Sequence, residues 1–159
     1  MHNVSKKLGY IYKAKIIQNY AIKNSYGNIV ANINNKNFIG WVREAGDIFK
    51  IGKTYETYLL IRPQRINWDI NQSEQKFAPD PKHPNRYTFI GRLDYINSLR
   101  TYKKRLSFIE CGVDCGFKIV IQTEVSKNIL IKSGMYVLGQ GGMEFDFVSI
   151  HPCNPTNKK

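Results

Sequence analysis

The sequence predicts an all-β fold arranged as two small barrels in tandem, and three observations carry that expectation. Aromatic residues make up 13% of the 159, ten Tyr and eight Phe among them, and such residues suit pleated, half-buried surfaces. Short runs of alternating polar and apolar residues recur along the chain, closed by Asn or Gly, which is the period of strands rather than of amphipathic helices. The two halves also share one order: a strand, a hairpin, a short irregular piece, a Lys-x-Gly turn and a closing strand.

Taken in order, Tyr10 to Ile22 alternates in short stretches with β-branched residues and carries no helix-capping signal, so it reads as a strand. A turn at Asn24 to Gly27 leads into a second strand through Asn28–Ile33. The run Asn34-Asn35-Lys36-Asn37 is a hairpin signal, because Asn tolerates the left-handed backbone that tight turns require. The chain returns through Phe38–Val42, allows one helical turn between Arg43 and Phe49, and enters a fourth strand from Thr54 to Ile61. Between Arg62 and Asn85 the prolines Pro63, Pro79, Pro81 and Pro84 exclude a continuous helix or central strand. That stretch is expected to be a linker or long loop, with Trp68 and Ile70 too apolar for a free tether.

The second half opens with a strand from Arg86 to Ile96. Arg105–Glu110 and Phe117–Ile121 form a hairpin around residues 112–114, and Met135–Leu138 and Glu144–Val148 close the series, separated by the glycine-rich run 139–142. Short strands in this order, with a helical turn or loop between the third and fourth, are those of an OB-like barrel. The expected organisation is therefore an OB-like barrel over 1–62, a Pro-rich linker over 63–85, a second OB-like barrel over 86–150 and a flexible tail over 151–159. One larger β-sandwich is the alternative.

Twenty-four Lys and Arg against twelve Asp and Glu leave a net charge of +12. That excess favours polyanions, acidic protein surfaces or anionic membranes. It is unevenly placed: residues 1–25 hold Lys6, Lys7, Lys13, Lys15 and Lys23 and no acid, whereas residues 106–150 hold five acids and three bases. No run of eighteen apolar residues and no secretory signal is visible, so a cytoplasmic protein with no membrane partner is expected. Three cysteines do not make a disulfide framework.

Residues 8–62 resemble the S-one RNA-binding domains, a branch of the OB-fold. The resemblance lies in Tyr26-Gly27-Asn28-Ile29-Val30, in Gly40-Trp41-Val42-Arg43 and in Ile51-Gly52-Lys53. It implies that Tyr26 is a stacking aromatic on the binding face. Ile29 stands where a second aromatic is usual, and Arg43 where His is common, and an Arg there suits a phosphate or the face of a base.

Strand parity puts Tyr26, Asn28, Val30 and Asn32 on one side and Ile29, Ala31 and Ile33 on the other. The candidate nucleic-acid-binding set is Tyr26, Asn28, Trp41 and Arg43 in the first half, with Arg86, Tyr87, Arg92, Tyr95, Lys103 and Lys104 in the second. Parity already forbids all of the second set from being exposed together.

Chemistry beyond binding has little to rest on. Cys111, Cys115, His151 and Cys153 are of zinc-ligating type, but two cysteines across a hairpin read more readily as small buried residues, and no metal site is expected. His2, His83 and His151 lie beside no nucleophile, and the glycines near 140 lack the Lys-Ser or Lys-Thr of a phosphate loop. The expectation is a non-catalytic, cofactor-free protein that binds RNA or single-stranded DNA, with docking on an acidic protein as the alternative.

Overall fold

The structure is a computed structural model that describes residues 6–23, 25–101 and 106–153. It is nearly all β, with a closed β-barrel compatible with an OB-like fold. Among the described residues ten strands form in chain order: β1 (Tyr12–Asn19), β2 (Gly27–Ile33), β3 (Lys36–Val42), β4 (Thr54–Ile61), β5 (Arg65–Asn67), β6 (Lys76–Pro79), β7 (Arg86–Thr101), β8 (Leu106–Asp114), β9 (Lys118–Ser126) and β10 (Tyr136–Phe147). A 3-10 turn, Gly46–Ile48, separates β3 from β4, where the sequence allowed one helical turn.

The chain divides into two compact units, and both are discontinuous. One comprises Met1–Tyr10 with Leu60–Met143, the other Ile11–Leu59 with Glu144–Lys159. This division differs from the contiguous segments 1–62 and 86–150, and the reason lies in β4 and β10. Thr54–Thr57 of β4 pair with β1, whereas Leu60 and Ile61 pair in parallel with β9. Tyr136–Gly142 of β10 pair with β7, whereas Glu144 pairs in parallel with Trp41 of β3. Each of these strands gives one stretch to each unit, a change that no turn signal in the sequence marks.

The unit containing Ile11–Leu59 is built on two antiparallel pairings of β2, to β1 and to β3. Asn34 and Asn35 both take positive φ, 52° and 67°, and give the two-residue hairpin turn between Ile33 and Lys36. The far side of β3 takes the tip of β10, and the stretch after β10 bonds back to β4, Val148 N–H to Glu56 O at 2.9 Å and Cys153 N–H to Thr54 O at 2.7 Å. Strands β1, β2, β3, β10 and β4 thus close into a ring. Residues 151–153, expected in a free tail, are tied to it. Ala14, Ile16, Ile29, Ala31, Ile33, Phe38 and Leu59 fill the interior, and Phe49 stacks on Phe147 at 4.0 Å between centroids.

The other unit repeats the plan. Strands β7, β8 and β9 are antiparallel neighbours, β9 takes the end of β4 in parallel, and β10 pairs with β7. Gln64 N–H donates to Gln140 O at 2.8 Å, joining the stretch after β4 to β10. The sixteen residues of β7 bend at two bulges, between Leu93 and Tyr95 and between Ser98 and Arg100.

Two expectations are corrected in this unit. The glycine-rich run 139–142 is not a connector but part of the continuous β10. Gly139 is needed there because a Cβ would overlap the ring of Phe89. The segment 63–85 is not a bare linker either, since β5 pairs with β10 and β6 with β7.

Candidate functional site

The outward face of β1, β2 and β3 is laid out in rows by the strand register. One row is Lys15, Asn32 and Asn37; the next is Gln18, Val30 and Ile39; the third sets Asn28 opposite Trp41. Successive rows are two residues apart along β2 and β3, about 7 Å, and three apart along β1 where it bulges between Ile16 and Gln18. The alternation of β2 puts Ile29, Ala31 and Ile33 in the core and leaves Asn28, Val30 and Asn32 half-buried on the outside. The parity expected from the sequence is the parity observed.

Tyr26, Asn28, Trp41 and Arg43 come together at one end of this face. The rings of Tyr26 and Trp41 lie 5.0 Å apart at an interplanar angle of 30°, and Tyr26 is exposed. Arg43 projects from the end of β3 and its Nη2 donates to Glu144 Oε1 at 3.0 Å, with the Arg43 side chain 58% exposed. An exposed pair of this kind contributes about 0 to 1 kcal/mol. The guanidinium therefore loses little by exchanging the carboxylate for another anion. At the other end Asn32 Nδ2 donates to Asn37 Oδ1 at 2.9 Å, and Lys15 stands beside them, exposed.

The second predicted set is not assembled. Tyr87 and Tyr95 are 2% and 0% exposed and belong to the core, so neither offers a ring face to a base. Tyr87 stacks on Phe77 of β6, and Tyr95 meets Tyr10 edge to face. Arg92 is exposed and bridges Asp94 at 3.3 Å; Arg86 is half-buried at the start of β7. Lys103 and Lys104 lie outside the described residues.

The outward side of β7 and β8 is covered by residues 6–10 of the same unit. Tyr10 is buried beside Gly112, where a Cβ would overlap the rings of Tyr95 and Tyr10. Its hydroxyl donates to Asp94, and burial with that carboxylate pushes its phenol far above the ordinary range. Lys7 Nζ bridges Glu110 Oε2 at 3.0 Å, and Gln122 donates to the same oxygen at 3.1 Å. Lys118 lies 5.6 Å from the centre of the Tyr10 ring.

Cys111 and Cys115 are buried thiols of this unit, and burial pushes each up to about 12. Such thiols are poor nucleophiles and poor metal ligands. Cys153 and His151 belong to the other unit. Among the described residues no group of three or more His, Cys, Asp and Glu is arranged to hold a metal, and no helix is long and apolar enough to cross a membrane. A cleft of about 640 Å³ between β5, β7 and β10 is lined by Gln64, Arg65, Asn67, Thr88 and Gln140, which pair no acid with a base.

No known family model matches the chain, and no curated protein is found to be similar to it. The geometry of the open face is what distinguishes it. That geometry includes one residue the sequence reading missed. Tyr20 is 63% exposed and its backbone N–H donates to Asn28 O at 2.9 Å, which places it across β2 from Trp41. Simple alternation from the buried Ala14 and Ile16 would turn Tyr20 inward, but a bulge between Ile16 and Gln18 adds one residue and turns it out. No local sequence signal marks that bulge.

Proposed function

We propose that the open face of β1, β2 and β3 binds single-stranded nucleic acid, RNA or DNA, without catalysis. The observation that carries the reading is the ring pair of exposed Tyr26 and half-buried Trp41 beside Arg43. Aromatic platforms interleaved with cations are how proteins hold unpaired bases and their phosphates at once. Lys13, Lys15 and Gln18, exposed on β1, extend the polar side of the face, and the net charge of +12 supplies long-range attraction. The S-one type of OB-fold is consistent with this placement, since Tyr26 and Arg43 meet on one face.

Fluorescence anisotropy with labelled single-stranded RNA, single-stranded DNA and duplex DNA at two salt concentrations tests it. Binding tighter than that of an unrelated protein of equal charge, and weakened on replacing Trp41 or Arg43 by Ala, is expected. An Arg43→Ala salt slope shallower by about 1 would identify a phosphate contact. Binding no better than the control rejects the reading.

Docking on an acidic protein is the second reading. Ile22 and Ile51, 58% and 64% exposed in the same unit, favour it because isolated bases do not require such aliphatic surface. Protein capture that depends on Ile22 and Ile51 but not on Trp41 would select it.

A further inference from the structure

The third row of the open face is longer than the candidate set made it. Tyr20, Asn28 and Trp41 occupy three adjacent strands, joined by the Tyr20 N–H to Asn28 O bond and by the Asn28–Trp41 register. Neighbouring strands lie about 4.8 Å apart, so the backbones carrying the two aromatics stand about 10 Å apart across β2. Two aromatic contacts at about 3.5 Å each require about 7 Å between ring planes. That backbone spacing leaves room for a flat ring system between side chains rising from Tyr20 and Trp41, over Asn28.

The backbone under Tyr20 is held more firmly than an exposed loop residue requires. Asn19, its predecessor, donates through Nδ2 to Gly46 O at 2.8 Å and to Phe49 O at 2.7 Å, and its Oδ1 accepts from Ala21 N–H at 2.9 Å. Tyr20 is thereby fixed on both sides while its ring is left in solvent. Tyr26 packs against Trp41 and supports the opposite wall.

On this geometry, and resting on the nucleic-acid reading above, we propose that Tyr20 and Trp41 are the two walls of a clasp that takes one unpaired nucleobase over Asn28. The clasp excludes a paired base, because a base held in a duplex is already stacked on both faces. Arg43, two residues along β3 from Trp41, lies where the phosphate of the clasped nucleotide or of its neighbour can reach its guanidinium. The site thus discriminates single strands from duplex by geometry, while charge attracts both.

The test uses the full chain and a short single-stranded oligonucleotide carrying one 2-aminopurine, read by anisotropy and by quenching of the fluorescent base. Tyr20→Ala is expected to weaken single-strand binding about 10-fold and to relieve the quenching, whereas Tyr20→Phe stays within about twofold of the parent. Duplex binding is unchanged in both. A Tyr20→Ala chain, folded by its unfolding transition, that binds and quenches like the parent overturns the clasp while leaving the wider reading in place. A parent chain that binds single strands no better than an equally charged control removes the wider reading, and the clasp with it.

Discussion

Two rings of the same strand plan carry opposite outward faces. In the ring of β7, β8 and β9 the equivalent surface is sealed: Tyr10 fills the space over Gly112, and Lys7 reaches Glu110, which is 3% exposed. In the ring of β1, β2 and β3 the corresponding surface carries half-buried Asn28, Val30 and Trp41 with exposed Tyr20 and Tyr26. One face has been absorbed into the core and the other left to solvent. The open face is where a ligand is to be sought, and the covered one is where stability is to be lost by mutation.

The largest effect expected from that contrast is at Gly112. Gly112→Val forces a branched side chain into the rings of Tyr95 and Tyr10 and should cost about 3 kcal/mol or more in urea unfolding. Val30→Ala, on the open face, should cost under about 1 kcal/mol, because the methyls it removes are only half-buried. Equal costs would show that residues 6–10 do not pack as a cover.

Alkali should act on the covered unit first. The thiols of Cys111 and Cys115 ordinarily titrate near 9.0 and are raised by burial to about 12. Below pH 9 both folded and unfolded chains keep these protons and stability is flat. Between pH 9 and 12 the unfolded chain releases protons that the folded chain retains, so stability falls as pH rises, by about 1.4 kcal/mol per pH unit for each thiol. The Tyr10 phenol, raised in the same direction from an ordinary 10.0, adds to the fall above pH 10. Urea midpoints measured from pH 8 to 11 should decline, and Cys111→Ala should make the decline shallower. A flat profile would place the thiols in contact with solvent.

Much of this architecture was legible in the chain, and the parts that were not share a cause. Alternation located the strand through Asn28–Ile33 and its inward and outward sides, the Asn34-Asn35 pair located the hairpin, and Thr54–Ile61 was bounded as observed. What failed was non-local. Tyr87 and Tyr95 were candidate contacts because aromatic and basic residues alternate there, yet their exposure depended on β6 and residues 6–10, which cover them from elsewhere in the sequence. The glycines of β10 suggested a connector, but Gly139 and Gly141 answer to close neighbours, Phe89 and Arg62, brought by register. Tyr20 was missed because a single bulged residue reverses strand parity.

The smallest effect, and the sharpest comparison, lies in two ion pairs of equal length. Lys7–Glu110 and Arg43–Glu144 both measure 3.0 Å. Distance alone would rank them together; burial separates them. The Glu110 side chain is 4% exposed and also accepts a hydrogen bond from Gln122, so removing Lys7 leaves a carboxylate buried with one neutral donor. The partial exposure of Lys7, 28%, admits some water and reduces the penalty below that of a fully buried pair. Lys7→Met should therefore cost about 1 to 3 kcal/mol. Arg43 is largely in solvent, and Arg43→Met should change stability by less than about 1 kcal/mol while lowering affinity for single strands. The two variants, compared in one urea titration and one anisotropy titration, should thus exchange their signatures: Lys7→Met moves unfolding and spares binding, Arg43→Met does the reverse. If both instead move unfolding alike, the face bearing Arg43 is as structural as the face that residues 6–10 cover, and its claim to a ligand falls with the difference.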